Sequence, residues 1–201
     1  MMIDFVFVVV EEQWLNALLI LAIGALILAP TLLGQRDSVQ LPYEFQLVAL
    51  VFAFAALFLG EVRSYYDRFW WWDIALHTTS GLLLGIVGFL LVYILNESRR
   101  IDLSMRPRFI ALFAFLFAVS MGAVWEIFEF TMDKTVGTHM QKPMLGDASG
   151  LTDTMWDLIV DTIGALAISA LGWWYMVRDR QSFIDVWTKK FIDRNPTLFR
   201  R

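Results

Sequence analysis

The chain has 201 residues, 58% of them hydrophobic and only 18% charged, with a net charge of -4 and no cysteine. This balance excludes an ordinary water-soluble domain, whose apolar share is about 45–50%, and the absence of cysteine excludes disulfides and thiolate metal sites. The basic residues lie in loops and the tail and form no recognisable nucleic-acid module, so nucleic-acid binding is excluded as well.

Apolar runs of about 20 residues, the length that crosses about 30 Å of hydrocarbon, predict an all-α polytopic membrane bundle of about five transmembrane helices. The N-terminal MMIDFVFVVVEEQW has no basic leader and no small-residue cleavage site, which speaks against a removable signal peptide. The first span is expected from about Trp14 to Leu33, with Pro30 near its end, and the second from about Glu44 to Val62 after a short link containing Pro42. Between the second and third spans, RSYYDRFWWW at 63–72 combines arginines with a run of aromatic rings, as interfacial belts do. The third span is expected from about Asp73 to Leu95, the fourth from Phe109 to Phe130 and the fifth from Met155 to Met176. Residues 1–176 thus read as one membrane domain and 177–201 as a charged, partly amphipathic tail.

Five spans place the termini on opposite sides, and the basic residues then choose the orientation. One set of segments holds twelve Lys and Arg: one in 34–43, four in 97–108 and seven in the tail. The other set holds four: none at the N-terminus, two in 63–72 and two in 131–154. The reading is an N-terminus outside and a C-terminus in the cytoplasm.

Polar residues recur at helical spacing within the last three spans. Asp73, His77 and Ser80 share a face of the third, with Gly81, Gly85 and Gly88 near that stripe to permit close helix approach. Glu126 and Glu129 stand three apart in the fourth, with Asp133 one turn further, and Asp153, Asp157 and Asp161 follow at steps of four in the fifth. The topology brings all three stripes to one membrane face. Ionisable groups inside a span are costly and mark function. At the water boundary, however, Asp73 and Asp153 equally suit helix caps. Ser80 lies three residues from His77 without any G-x-S-x-G elbow, so serine hydrolysis is not expected. His139 belongs to the outer loop, where a solvated role is the ordinary one.

The segments YDRFWWWDIALHTTSG, VWEIFEF and DTMWDLIVDTIGA resemble the YjdF-like family of bacterial inner-membrane proteins and, more distantly, the VanZ-like group. The resemblance covers residues 66–166. It implies a small polytopic membrane fold whose distinctive residues are Asp73, His77, Glu126, Glu129, Asp153 and Asp157. Several relatives are closer to YDKxxH, which makes Asp67 the alternative to Asp73. The resemblance implies no particular reaction.

Carboxylate oxygen and neutral imidazole suit a divalent Zn, Mn or Fe ion. The leading expectation is therefore a metal-dependent membrane enzyme that acts on a lipid or envelope substrate at the outer leaflet. Asp73, His77, Glu126, Asp157 and Asp161 are its metal ligands in this reading, Glu129 its catalytic base, and membrane lipids its partners. A proton- or cation-coupled transporter and a non-catalytic membrane scaffold are the alternatives.

Overall fold

A computed structural model describes residues 42–97, 105–178 and 183–196, together with residues 9, 10, 17, 20, 21 and 24. The described part is helical. It divides into two compact units, residues 1–76 and 77–201. Four of its helices are long and apolar enough to cross a membrane: Tyr43–Val62, Trp72–Val92, Pro107–Thr135 and Leu151–Val177. The expected first span lies largely outside the described residues, and the count of five lies there with it. The other four spans stand where the apolar runs predicted them, with ends that differ from the expected ones by at most five residues.

In the first unit, α1 (Tyr43–Ala53) begins after Pro42 and continues as a π-helix over Phe54–Val62. The wider winding shows in the bond from the Arg63 amide to the Phe58 carbonyl, five residues back, at 2.9 Å. Gly60 lies in this stretch because a Cβ there would enter the Tyr66 ring. Ala17, Ile20 and Phe58 form the buried core of the unit, with Phe54, Leu57 and Val62 packed around them. Ser64, in the left-handed region at φ 54°, ends the winding, and the short α2 (Tyr65–Arg68) follows. The rings of Tyr65, Phe69, Trp71 and Trp72 then contact one another at centroid distances of 5.0 to 5.9 Å.

The helix α3 (Trp72–Glu97) leads into the second unit, which holds α4 (Pro107–Thr135), α5 (Leu151–Val177) and α6 (Phe183–Arg194). Proline at the first turn of α4 has no amide to leave unsatisfied, which suits a helix start. Small residues sit wherever these helices cross. A Cβ on Gly81 would strike the Asp161 carbonyl, one on Gly164 the Thr78 carbonyl, and one on Gly88 the Ala114 backbone. Hydrocarbon surrounds both separate and packed helices, so close backbone approach and its dispersion contacts, more than water exclusion, hold such helices together.

The buried stripe of α4 runs Ile110, Ala114, Ala118, Gly122, Glu126, Glu129, and that of α5 runs from Asp153, Asp157 and Asp161 to Gly164, Ile168 and Gly172. Each stripe is apolar at one end, where Phe89, Val92, Ile110 and Ala114 form a core, and acidic at the other. In α6, Phe191 is buried, and Asn195 caps the last turn by donating to its carbonyl at 2.7 Å.

The Gly164 contact is against backbone, which cannot rotate away. Gly164→Val is expected to destabilise the protein by about 1–3 kcal/mol, read as a lower thermal unfolding midpoint by circular dichroism in detergent.

Candidate functional site

His77 stands five residues into α3, at the acidic end of the second unit. Its imidazole is flanked by carboxylates on both nitrogens. Nδ1 lies 3.3 Å from Asp161 Oδ2 and 3.9 Å from Glu126 Oε1, while Nε2 lies 3.7 Å from Asp157 Oδ2. All four residues are buried, none more than 9% exposed. Asp73, half-buried, stands four residues ahead on the same helix, in the part of it that belongs to the first unit. Helical spacing thus aligned the residues of each stripe, and packing of α3, α4 and α5 brought His77, Glu126, Asp157 and Asp161 together.

Two neighbours refine the centre. The Ser80 hydroxyl contacts Asp161 Oδ1 and also reaches the His77 backbone carbonyl at 2.8 Å, so its single proton is shared between two acceptors. These two acceptors, and not the imidazole, take the Ser80 proton. Its contact occupies one oxygen of Asp161 and leaves Oδ2 facing His77. Glu126 is 4% exposed, and neither of its oxygens receives a hydrogen bond by distance and angle among the described residues. The Thr154 hydroxyl, which accepts from Gln141 Nε2 at 2.8 Å, is a polar neighbour on that side. Glu129, one turn beyond Glu126, is buried and accepts the indole N–H of Trp125 at 2.8 Å.

The other acids of the stripes build the loop between α4 and α5. Asp133 accepts the Thr138 hydroxyl at 2.6 Å and the amides of Met140 and Gln141 at 2.8 and 3.0 Å. Asp153, for which a helix cap at the water boundary was one of two readings, accepts the Lys142 amide at 2.6 Å and is buried. Asp147 accepts the Ser149 amide at 2.8 Å and both the amide and the hydroxyl of Thr152, at 3.0 and 2.8 Å. Leu145 and Gly146, both at positive φ, make the two-residue turn that returns the chain from Met144 to Asp147. His139 is exposed in this loop. Gln141, Thr154 and Asp147 were not anticipated. An aspartate three to five residues before a helix start, with Ser and Thr following, is the available signal for the last.

Hydrogen bonds from Ser149, and then from Thr152, hold the Asp147 carboxyl well below the ordinary carboxylate range. A carboxylate more acidic in the folded state contributes order that is present above its unfolded value of about 3.9. That order is lost only as pH falls through the lower folded value. Hydrogen exchange at the Ser149 and Thr152 amides is therefore expected to stay protected through the usual carboxylate range, and to lose that protection at neutral pH in Asp147→Ala.

These features define a class: a polytopic helical membrane protein with a buried histidine-carboxylate centre at one end of its bundle. Residues 1–178 match the family described as "Predicted membrane protein (DUF2238)", and the chain belongs to that family. The YjdF-like resemblance accords with this membership, and the comparisons do not reach the VanZ-like group. A Thermotoga maritima protein described as uncharacterized is 30% identical over 132 residues, 66% of this chain and 63% of that protein's own length. No solved structure matches the chain.

Proposed function

We propose that the buried centre binds one divalent cation and that the protein is a metal-dependent membrane enzyme. The observation that carries this reading is Glu126, a carboxylate removed from solvent with neither oxygen hydrogen-bonded among the described residues, 3.9 Å from an imidazole nitrogen. Three carboxylates around one imidazole leave excess negative charge, and a single uncompensated acid within the bilayer costs about 2.5–3.5 kcal/mol or more. A divalent ion offsets that charge.

The spacing supports the same reading. Donors about 2.0–2.2 Å from a tetrahedral ion stand roughly 3.3–3.6 Å apart; the 3.3 Å from His77 Nδ1 to Asp161 Oδ2 meets this, and the 3.9 Å to Glu126 Oε1 lies slightly above it. His77 Nδ1, Asp161 Oδ2 and Glu126 are the ligands in this assignment. Asp157 faces Nε2 from the other side and orients the ring, as carboxylates behind ligating histidines do. Ser80 orients Asp161. The bound ion would polarise a phosphate or activate water. Glu129, held by Trp125, stands one turn away as the base that takes the proton. The excess of basic residues in the other set of loops supports an outward-facing centre in a bacterial inner membrane, where lipid and envelope substrates are within reach.

Elemental analysis of detergent-purified protein after incubation with Zn, Mn or Fe tests this. Near-stoichiometric metal is expected in the wild type and in Asp153→Asn, which serves the loop, and loss is expected in His77→Ala and Glu126→Gln. Wild-type protein that retains no metal would sink the proposal and return weight to proton coupling or a purely structural cluster.

A further inference from the structure

The face of α4 beside the acidic stripe has a concave part. Met121, Val124, Trp125 and Phe128 recur at i, i+3, i+4 and i+7 and so share one stripe. They line a groove of about 260 Å³ whose walls are apolar. Each is 39 to 55% exposed, and the Trp125 and Phe128 rings, 5.4 Å apart between centroids, form one wall. Phe128 lies seven residues and Met121 fourteen residues before the end of α4 at Thr135. At about 1.5 Å per residue the groove is roughly 10–21 Å in from that end, inside the hydrocarbon layer. At that depth the medium against an exposed helix face is acyl chain.

A second observation ties the groove to the centre. Trp125, its wall, donates its indole N–H to Glu129 at 2.8 Å. Of the acids on these turns of α4, Glu129 lies about a quarter of the way round the helix from the groove and Glu126 nearly half way. A chain lying in the groove therefore runs past the turn that carries Glu129, with its headgroup end toward that residue.

We infer that this groove seats one acyl chain of a membrane phospholipid, and that the substrate class of the centre is a lipid recognised by chain and headgroup together. The headgroup half rests on the cation-site reading; the chain half rests on the groove alone. Trp125 acts as the positioning residue between them, since one face of its ring borders the chain and its N–H fixes Glu129.

The full chain in phosphatidylglycerol nanodiscs, doped with a phosphatidylglycerol that carries a diazirine midway along one acyl chain, gives the test. After irradiation, mass spectrometry maps the cross-links. Labelling of Met121, Val124 and Phe128 is expected to exceed that of Leu112 and Leu116, which are at least as exposed as Met121 and Phe128 on the same helix, by several-fold. Val124→Trp, a substitution at an exposed position that fills the groove, is expected to bring Phe128 labelling down to the Leu116 level. Equal labelling along α4 in the wild type, or labelling unaffected by Val124→Trp, overturns the proposal. The two readings separate in Glu126→Gln: metal lost with groove labelling kept supports both. Groove labelling in wild-type protein that binds no metal keeps the chain site and refutes its link to a cation. Metal binding with uniform labelling refutes the groove and leaves the cation site standing.

Discussion

The structure turns on the cost of placing Glu126, Asp157 and Asp161 around one imidazole between packed helices. Charges removed from water need partners at short range, and short range between helices needs small residues. Gly81 lets α3 approach the backbone of Asp161, Gly164 receives the backbone of α3 in return, and Gly122 leaves room for the Asp161 carboxylate. Replace any of these with a larger residue and the imidazole no longer reaches carboxylates on two other helices. The glycines and the acids are thus one feature of the fold: the first set the separation, and the second give that separation a chemical use.

The acids at this end of the second unit do two different jobs. Asp133, Asp147 and Asp153 accept amides and hydroxyls of the loop between α4 and α5, so their charge is met by backbone dipoles. Their carboxylates organise a segment that has no strand or helix of its own to satisfy its amides. Glu126, Asp157 and Asp161 face the imidazole instead. The division follows depth: acids within reach of the loop find N–H donors there, whereas acids a turn or two deeper meet only side chains from neighbouring helices.

Surrounded by hydrocarbon, α4 also has to serve two environments on its two sides. Its inward stripe grades from Ile110 and Ala114 to Glu126 and Glu129, while Leu112, Leu116, Val124 and Ile127 are exposed. Trp125 stands at the seam, with its ring on the apolar side and its N–H on Glu129. An indole suits that place because it combines a large apolar body with one donor that needs a partner. A change in what lies along the outer face would reach the acidic stripe through this one side chain.

Most of the helices and the stripes upon them were legible in the sequence. A span announces itself by length and hydropathy, since an unpaired backbone cannot stand in lipid, and positions three and four apart share a face by helix geometry alone. Asp73, His77, Glu126, Asp157 and Asp161 could therefore be named from spacing, and the role of Gly81, Gly85 and Gly88 in close approach could be expected beside them. What spacing cannot carry is distance across helices. Only the tertiary packing decided that Asp161 and Glu126 face Nδ1 while Asp157 faces Nε2, that Ser80 serves Asp161 and not the ring, and that Asp153 turns to the Lys142 amide. The reason is physical: periodicity determines direction around one helix axis, whereas a centre built from three helices depends on their separation and rotation, which the glycine contacts between them determine.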